Sequence, residues 1–176
     1  MRKRDPPPVK PWTKPPVGWV KLSVDGSYKE EDGQAGAGMI LRDESGRIIL
    51  SACRYLQSCD GALEAETSAC LEGLELALQH SQLPIIIETD CSQLVSAVLE
   101  KSQDRSPYTH MISEIKLLAS GDRVCKFVKV DRGQVRVSHC LANLARAENL
   151  STFWLGSGPE VVLQVLEAEP SVIPTA

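Results

Sequence analysis

The sequence contains no run of 18 apolar residues, so no segment reads as a membrane-spanning helix. Nor is there an export signal: MRKRDPPPVKPW is basic, but no apolar stretch follows it. The six cysteines are Cys53, Cys59, Cys70, Cys91, Cys125 and Cys140, and none belongs to a CxxC pair. That spacing argues against a zinc site, and in a chain without an export signal it argues for free thiols over a disulfide frame. There is no internal repeat. A chain-wide basic footprint for nucleic acid is also missing, since the net charge is −4. These absences describe an intracellular protein of the nucleus or cytoplasm, expected to be a monomer and to have no business with a membrane.

What is present suits one ordinary domain: 176 residues, 43% hydrophobic and 24% charged, enough for a full core. The charge is uneven. Arg2, Lys3, Arg4, Lys10 and Lys14 face only Asp5 in residues 1–18, a local balance of +4. Residues 122–146 hold Arg123, Lys126, Lys129, Arg132, Arg136 and Arg146 against Asp122 and Asp131, again +4. Ordinary charge scatter on a solvated surface explains this as readily as a local nucleic-acid footprint.

Six of the eleven prolines fall in residues 1–18, which therefore read as a proline-rich basic linker or tail. From Trp19 to Asp25 the pattern alternates, with Val20, Leu22 and Val24 on one face, as in a strand. GQAGAGMILRD and GRIILSACRYL look like two more strands, joined by a turn at 43–46 into an antiparallel meander. From 60 to 80 the period becomes helical. Leu63, Thr67, Cys70, Leu71, Leu74, Ala77 and Leu78 form the apolar stripe, and Glu64, Ser68, Glu72, Glu75 and Gln79 the wet face. Ile85-Ile86-Ile87 reads as a parallel strand covered on both faces. Short helices are expected over 91–100 and from Pro107 to Gly121, then a strand over 124–130 and a strong helix over 135–148. The expected fold is α/β: a mixed five-stranded sheet, three antiparallel strands then parallel ones, with helices on both faces. That domain covers 19–148, and 149–176 is an extension with room for one short helix.

Three carboxylates stand out. Asp25 ends the first strand and Asp90 ends the buried parallel one, where ligands gather in mixed sheets. Taken singly, Asp25 could be a turn residue and Asp90 a helix N-cap. Glu66 lies within the inward stripe, where a lone carboxylate needs a partner or a proton unless it reaches solvent from the stripe's edge. If the three converge, they make an all-oxygen anionic site suited to Mg²⁺ or Mn²⁺. Two such ions can activate a water and stabilise the leaving oxygen of a phosphodiester.

The segments Val24-Asp25-Gly26-Ser27, Glu64-Ala65-Glu66-Thr67-Ser68-Ala69 and Thr89-Asp90-Cys91-Ser92-Gln93-Leu94-Val95 resemble, in order, the first three motifs of type 1 ribonuclease H. The likeness covers about 19–148. It is nearest to the ribonuclease H-like domains of plant non-LTR retrotransposons, from the lead-in Trp19-Val20-Lys21-Leu22 to Ser138-His139-Cys140-Leu141-Ala142 and Trp154-Leu155-Gly156. The resemblance implies metal-dependent cleavage of the RNA strand of an RNA/DNA hybrid. It makes Asp25, Glu66 and Asp90 metal ligands for two Mg²⁺ or Mn²⁺ ions. It puts His139 where the family's fourth catalytic carboxylate belongs, and a poor Mg²⁺ ligand there points to weakened activity or to a decayed domain that binds nucleic acid or protein without cutting. Gly26, Ser27, Ser92, Gln93, Lys129, Arg132 and Arg136 are then the residues expected to touch the nucleic acid.

Overall fold

The computed structural model describes residues 4–101 and 108–169. The strands are β1 (Val20–Tyr28), β2 (Ala35–Arg42), β3 (Ile48–Leu56), β4 (Ile85–Thr89), β5 (Cys125–Lys129) and β6 (Thr152–Leu155). The helices are α1 (Ala62–His80), α2 (Ser92–Leu99), α3 (Thr109–Ala119), α4 (Arg136–Glu148) and α5 (Glu160–Ala168). The described strands form one mixed sheet in the order β5-β4-β1-β2-β3-β6. β1, β2 and β3 pair antiparallel, whereas β4 runs parallel to both β1 and β5. The α/β class and the antiparallel-then-parallel order are those the sequence implied. The expected helix start at Pro107 lies outside the described residues.

The sheet has six strands rather than five. The sixth, β6, comes from the segment expected as an extension and pairs antiparallel with β3, Trp154 facing Ser51. It is only four residues long and mostly exposed, so its sequence carries no burial alternation. The proline-rich lead-in also departs from a free tail. Trp12 is 7% exposed and lies over the Arg42 guanidinium, 3.7 Å from ring centroid to Cζ. Lys21 Nζ donates to the Thr13 carbonyl at 2.7 Å. Prolines limit backbone donors but do not prevent one aromatic ring from burying itself.

Successive residues of β1 face opposite sides of the sheet. Val24 meets α1, where an added Cβ on Gly73 would lie 3.0 Å from it. Asp25 meets α4 on the other side. The buried positions of α1 are Ala65, Thr67, Ala69, Cys70, Gly73, Leu74 and Ala77, while Leu63, Leu71 and Leu78 fall at the margin. Small residues let this helix lie close to the sheet, so the contact stripe is offset from the leucine stripe of the sequence. The approach of α4 is closer still. Cβ atoms added to Gly36 and Gly38 would stand 2.0 Å from the carbonyl oxygens of Ala142 and Ser138. The main core joins β1–β4 to α1, α2 and α3, and a second cluster packs Ile40 and Cys53 against Val137, Leu141, Ala145 and Val162 of α4 and α5. All six cysteines are free, three buried and three half-buried. No helix among the described residues is long and apolar enough to cross a membrane.

Candidate functional site

The parallel pairing of β1 with β4 sets Ser23 opposite Glu88, so two residues further on Asp25 stands beside Asp90, just past the end of β4. Asp25 does not end its own strand as the sequence implied: β1 runs on to Tyr28, held by its pairing with β2. Glu66 arrives from α1. Gly26 makes this possible: a Cβ there would lie 2.6 Å from the Glu66 backbone nitrogen and 2.9 Å from the Ala65 Cβ. One carboxylate oxygen from each of Asp25, Glu66 and Asp90 lies within 4.8 Å of the others. The three acids singled out in the sequence are thus brought together.

Their electrostatics are those of anions short of a counter-charge. Burial, and then the Asp25 carboxylate beside it, push Glu66 up to about 10. Burial and Asp25 also raise Asp90, with Arg132 opposing. Glu66 Oε2 is buried and has no hydrogen-bond partner among the described residues. An orphaned oxygen and three hard carboxylate donors, with no thiol in the cluster among the described residues, fit a divalent cation with oxygen preference, whose charge would replace the proton that Glu66 otherwise keeps.

His139 sits on the same side of the sheet as Asp25, its Nδ1 2.7 Å from Asp25 Oδ2. That hydrogen bond raises the imidazole pKa, and burial works against it. Three further contacts extend from the ring. Asn143 Nδ2 lies 3.1 Å from His139 Nε2, Ser27 Oγ donates to Asn143 Oδ1 at 2.7 Å, and Arg146 Nε donates to Ser27 Oγ at 2.9 Å. His139, Asn143 and Arg146 occupy i, i+4 and i+7 of α4, one stripe of its polar face. No local pattern in the sequence signals that Ser27 joins them into a chain ending on Asp25.

The residues expected to touch nucleic acid divide into two groups. Gly26 and Ser27 are engaged inside the protein, the first against the α1 backbone and the second in the polar chain. Ser92 and Gln93 are exposed on the first turn of α2, at the rim of a cleft lined also by Thr67 and Ile112. Lys129, at the end of β5, and Arg132, shortly after it, are exposed. Lys129 Nζ lies 4.0 Å from Asp131, and Arg132 Nε, on a side chain 79% exposed, lies 3.7 Å from Asp90 Oδ2. Arg136 lines a groove of about 500 Å³ between α4 and α5, together with Arg132, His139 and Asn143.

A mixed sheet carrying acids within β1, just after β4 and on α1, closed by α4, is a ribonuclease H-like domain. The reverse transcriptase-like family model matches residues 23–145, and the chain belongs to that family. It is 26% identical over 158 residues to an Arabidopsis thaliana protein whose name places it provisionally among ribonuclease H proteins. That match takes in 90% of this chain but only 25% of the relative, so the chain spans about a quarter of the relative's length. Among solved structures, the ribonuclease H1 of the archaeon Halobacterium salinarum superposes with a TM-score of 0.67 at 21% identity, covering 74% of this chain and 99% of that one. A ribonuclease H1 in complex with an RNA/DNA hybrid superposes at 0.64, with 21% identity over 75% of this chain and 99% of that one. At such identities these structures speak for the fold.

Proposed function

We propose that this protein binds RNA/DNA hybrids and hydrolyses the RNA strand with the help of divalent metal, Mg²⁺ or Mn²⁺. The observation that carries this reading is the convergence of Asp25, Glu66 and Asp90 around the orphaned Glu66 oxygen. These three carboxylates would hold the metal, which supplies an activated water and charge neutralisation at the scissile phosphate. The exposed Lys129, Arg132, Arg136, Ser92 and Gln93 offer contacts to the backbone of a duplex laid across the acids. Recognition would then follow shape and 2′-hydroxyls rather than sequence. The hybrid held by a ribonuclease H1 of the same fold supports this partner. The protein would act as a monomer inside the cell.

One contact favours a second reading, binding without cleavage: the 2.7 Å bond from His139 ties up an Asp25 oxygen that phosphodiester chemistry would call on. The deciding experiment incubates the full chain with a hybrid labelled on the RNA strand, in Mg²⁺, in Mn²⁺ and in chelator, and follows binding by anisotropy. Metal-dependent cuts in the RNA strand that vanish in Asp25→Asn support the nuclease. Hybrid bound but uncut in both metals leaves the binding module. With three phosphate contacts from Lys129, Arg132 and Arg136, affinity should fall about 40-fold between 50 and 200 mM salt. No binding at low salt would sink both readings.

A further inference from the structure

We infer that this site takes one divalent ion rather than two, and that His139 is held off the ion as a hydrogen-bond donor to Asp25. The inference rests on the metal-dependent reading above and specifies what its site can hold.

The direction of the polar chain follows from its far end. A guanidinium has donors only, so Arg146 Nε must donate to Ser27 Oγ. Ser27 is 9% exposed, and its hydroxyl hydrogen needs an acceptor, which Asn143 Oδ1 supplies at 2.7 Å. Turning the amide over would leave that hydrogen without a partner. The Asn143 N–H therefore points at His139 Nε2, 3.1 Å away, and takes up the lone pair of that nitrogen. The ring's hydrogen is then on Nδ1, aimed at Asp25 Oδ2. Neither nitrogen keeps a free lone pair, and a metal-bound imidazole needs one. His139 stands where the resemblance puts a fourth ligand, yet its donors and acceptors are already spoken for.

The surroundings of the acids agree. Two ions about 4 Å apart would between them need more anionic oxygen donors than one ion does. Asp25 has one oxygen committed to the His139 N–H at 2.7 Å, and Asp90 Oδ2 faces the Arg132 guanidinium at 3.7 Å. A second ion would meet the His139 N–H donor where it needs anionic oxygen, with the positive charge of the exposed Arg132 side chain close by. The three oxygens that lie within 4.8 Å of one another remain for the first. In this site the His139 N–H takes the Asp25 oxygen that a second cation would need.

The test counts ions without asking for catalysis. The full chain, labelled with ¹⁵N-histidine, is titrated with Mn²⁺ and followed by electron paramagnetic resonance, with pulsed measurements for nitrogen coupling. One Mn²⁺ per chain with no imidazole nitrogen coupling is expected. His139→Asp, checked for folding by circular dichroism, should raise the count to two. Two ions in the unaltered chain, or a histidine nitrogen coupled to Mn²⁺, would overturn the inference with no variant needed. A folded His139→Asp that still takes one ion would remove His139 as the cause. Absence of any bound Mn²⁺ is a different failure, because it strikes the metal-dependent reading itself.

Discussion

Replacing Gly38 by alanine should unseat α4 and, with it, the contact between His139 and Asp25. Gly38 is the β2 residue paired with Asp25. Its added Cβ would lie 2.0 Å from the Ser138 oxygen and 2.5 Å from the Ala142 nitrogen. Both obstacles are backbone atoms, so no rotamer change relieves them. Ordinary contact starts at 3.4 Å, which requires the helix to retreat by about 1.4 Å, the difference between 3.4 and 2.0. Overpacking usually costs 1–3 kcal/mol, and a displaced helix belongs at the upper end, about 3 kcal/mol. For a chain of this size that corresponds to a fall in Tm of about 6–12 °C. His139 follows Ser138 directly, so its 2.7 Å bond to Asp25 would stretch to about 4 Å, beyond hydrogen-bonding reach. Thermal melts by circular dichroism give the first number, and the ¹⁵N chemical shifts of the His139 ring report the second. A fall of less than about 3 °C with an unchanged His139 ring spectrum would refute the claim that bare glycine on β2 sets this distance.

Trp12→Ala should destabilise the domain by about 3 kcal/mol in urea, because it uncovers a guanidinium that is 1% exposed and removes a stacked ring; an unchanged midpoint would return the lead-in to the status of a tail. Glu66 predicts a pH trend in chelator. Its folded-state pKa, pushed up to about 10, lies above the unfolded value of about 4.5, so the folded state binds the proton more tightly. Its stabilising contribution is therefore complete below about 4.5 and is lost as pH rises toward 10. Glu66→Gln should flatten that decline and raise the metal-free Tm near neutral pH, and it should cancel any rise in Tm on adding Mg²⁺. Equal Mg²⁺ shifts in both proteins would mean that Glu66 does not hold the ion.

Much of this fold is legible because its signals are local. The alternation of Val20, Leu22 and Val24, the apolar run at Ile85 and the helical period of 135–148 each identify an element within a dozen residues, and the order of elements then leaves few topologies. The acids were legible for a related reason: Asp25 and Asp90 each close an apolar strand pattern, although β1 itself continues to Tyr28, and Glu66 sits on the inward side of its helix. What escaped depends on contacts across long separations. β6 is a strand only because β3 offers it an edge, and Trp12 is buried only because Arg42 and Lys21 lie beneath it. Ser27 looked like a phosphate contact beside Asp25, but α4 arrives 116 residues later in the chain with Asn143 and claims its hydroxyl. The glycines at 36 and 38 carry no local signal of the helix that lies on them, because that contact is made by residues about 100 positions later.

Arg42 is gripped from both directions along the chain, by Trp12 before it and by Glu169, 127 residues after it, at 3.1 Å. This has a consequence for the order of events during synthesis. A ribosome adding roughly 5–20 residues per second needs on the order of 10 s to cover that separation. For that interval β2 carries an apolar-flanked cation whose carboxylate partner has not yet been made. The Trp12 ring can settle early, but the buried charge is not neutralised from this side until α5 has left the exit tunnel. Closing so long a loop is also slow in free solution. The seal between lead-in and last helix should therefore form late, after the sheet is assembled, so a nascent chain halted before α5 would expose a region that the finished protein hides.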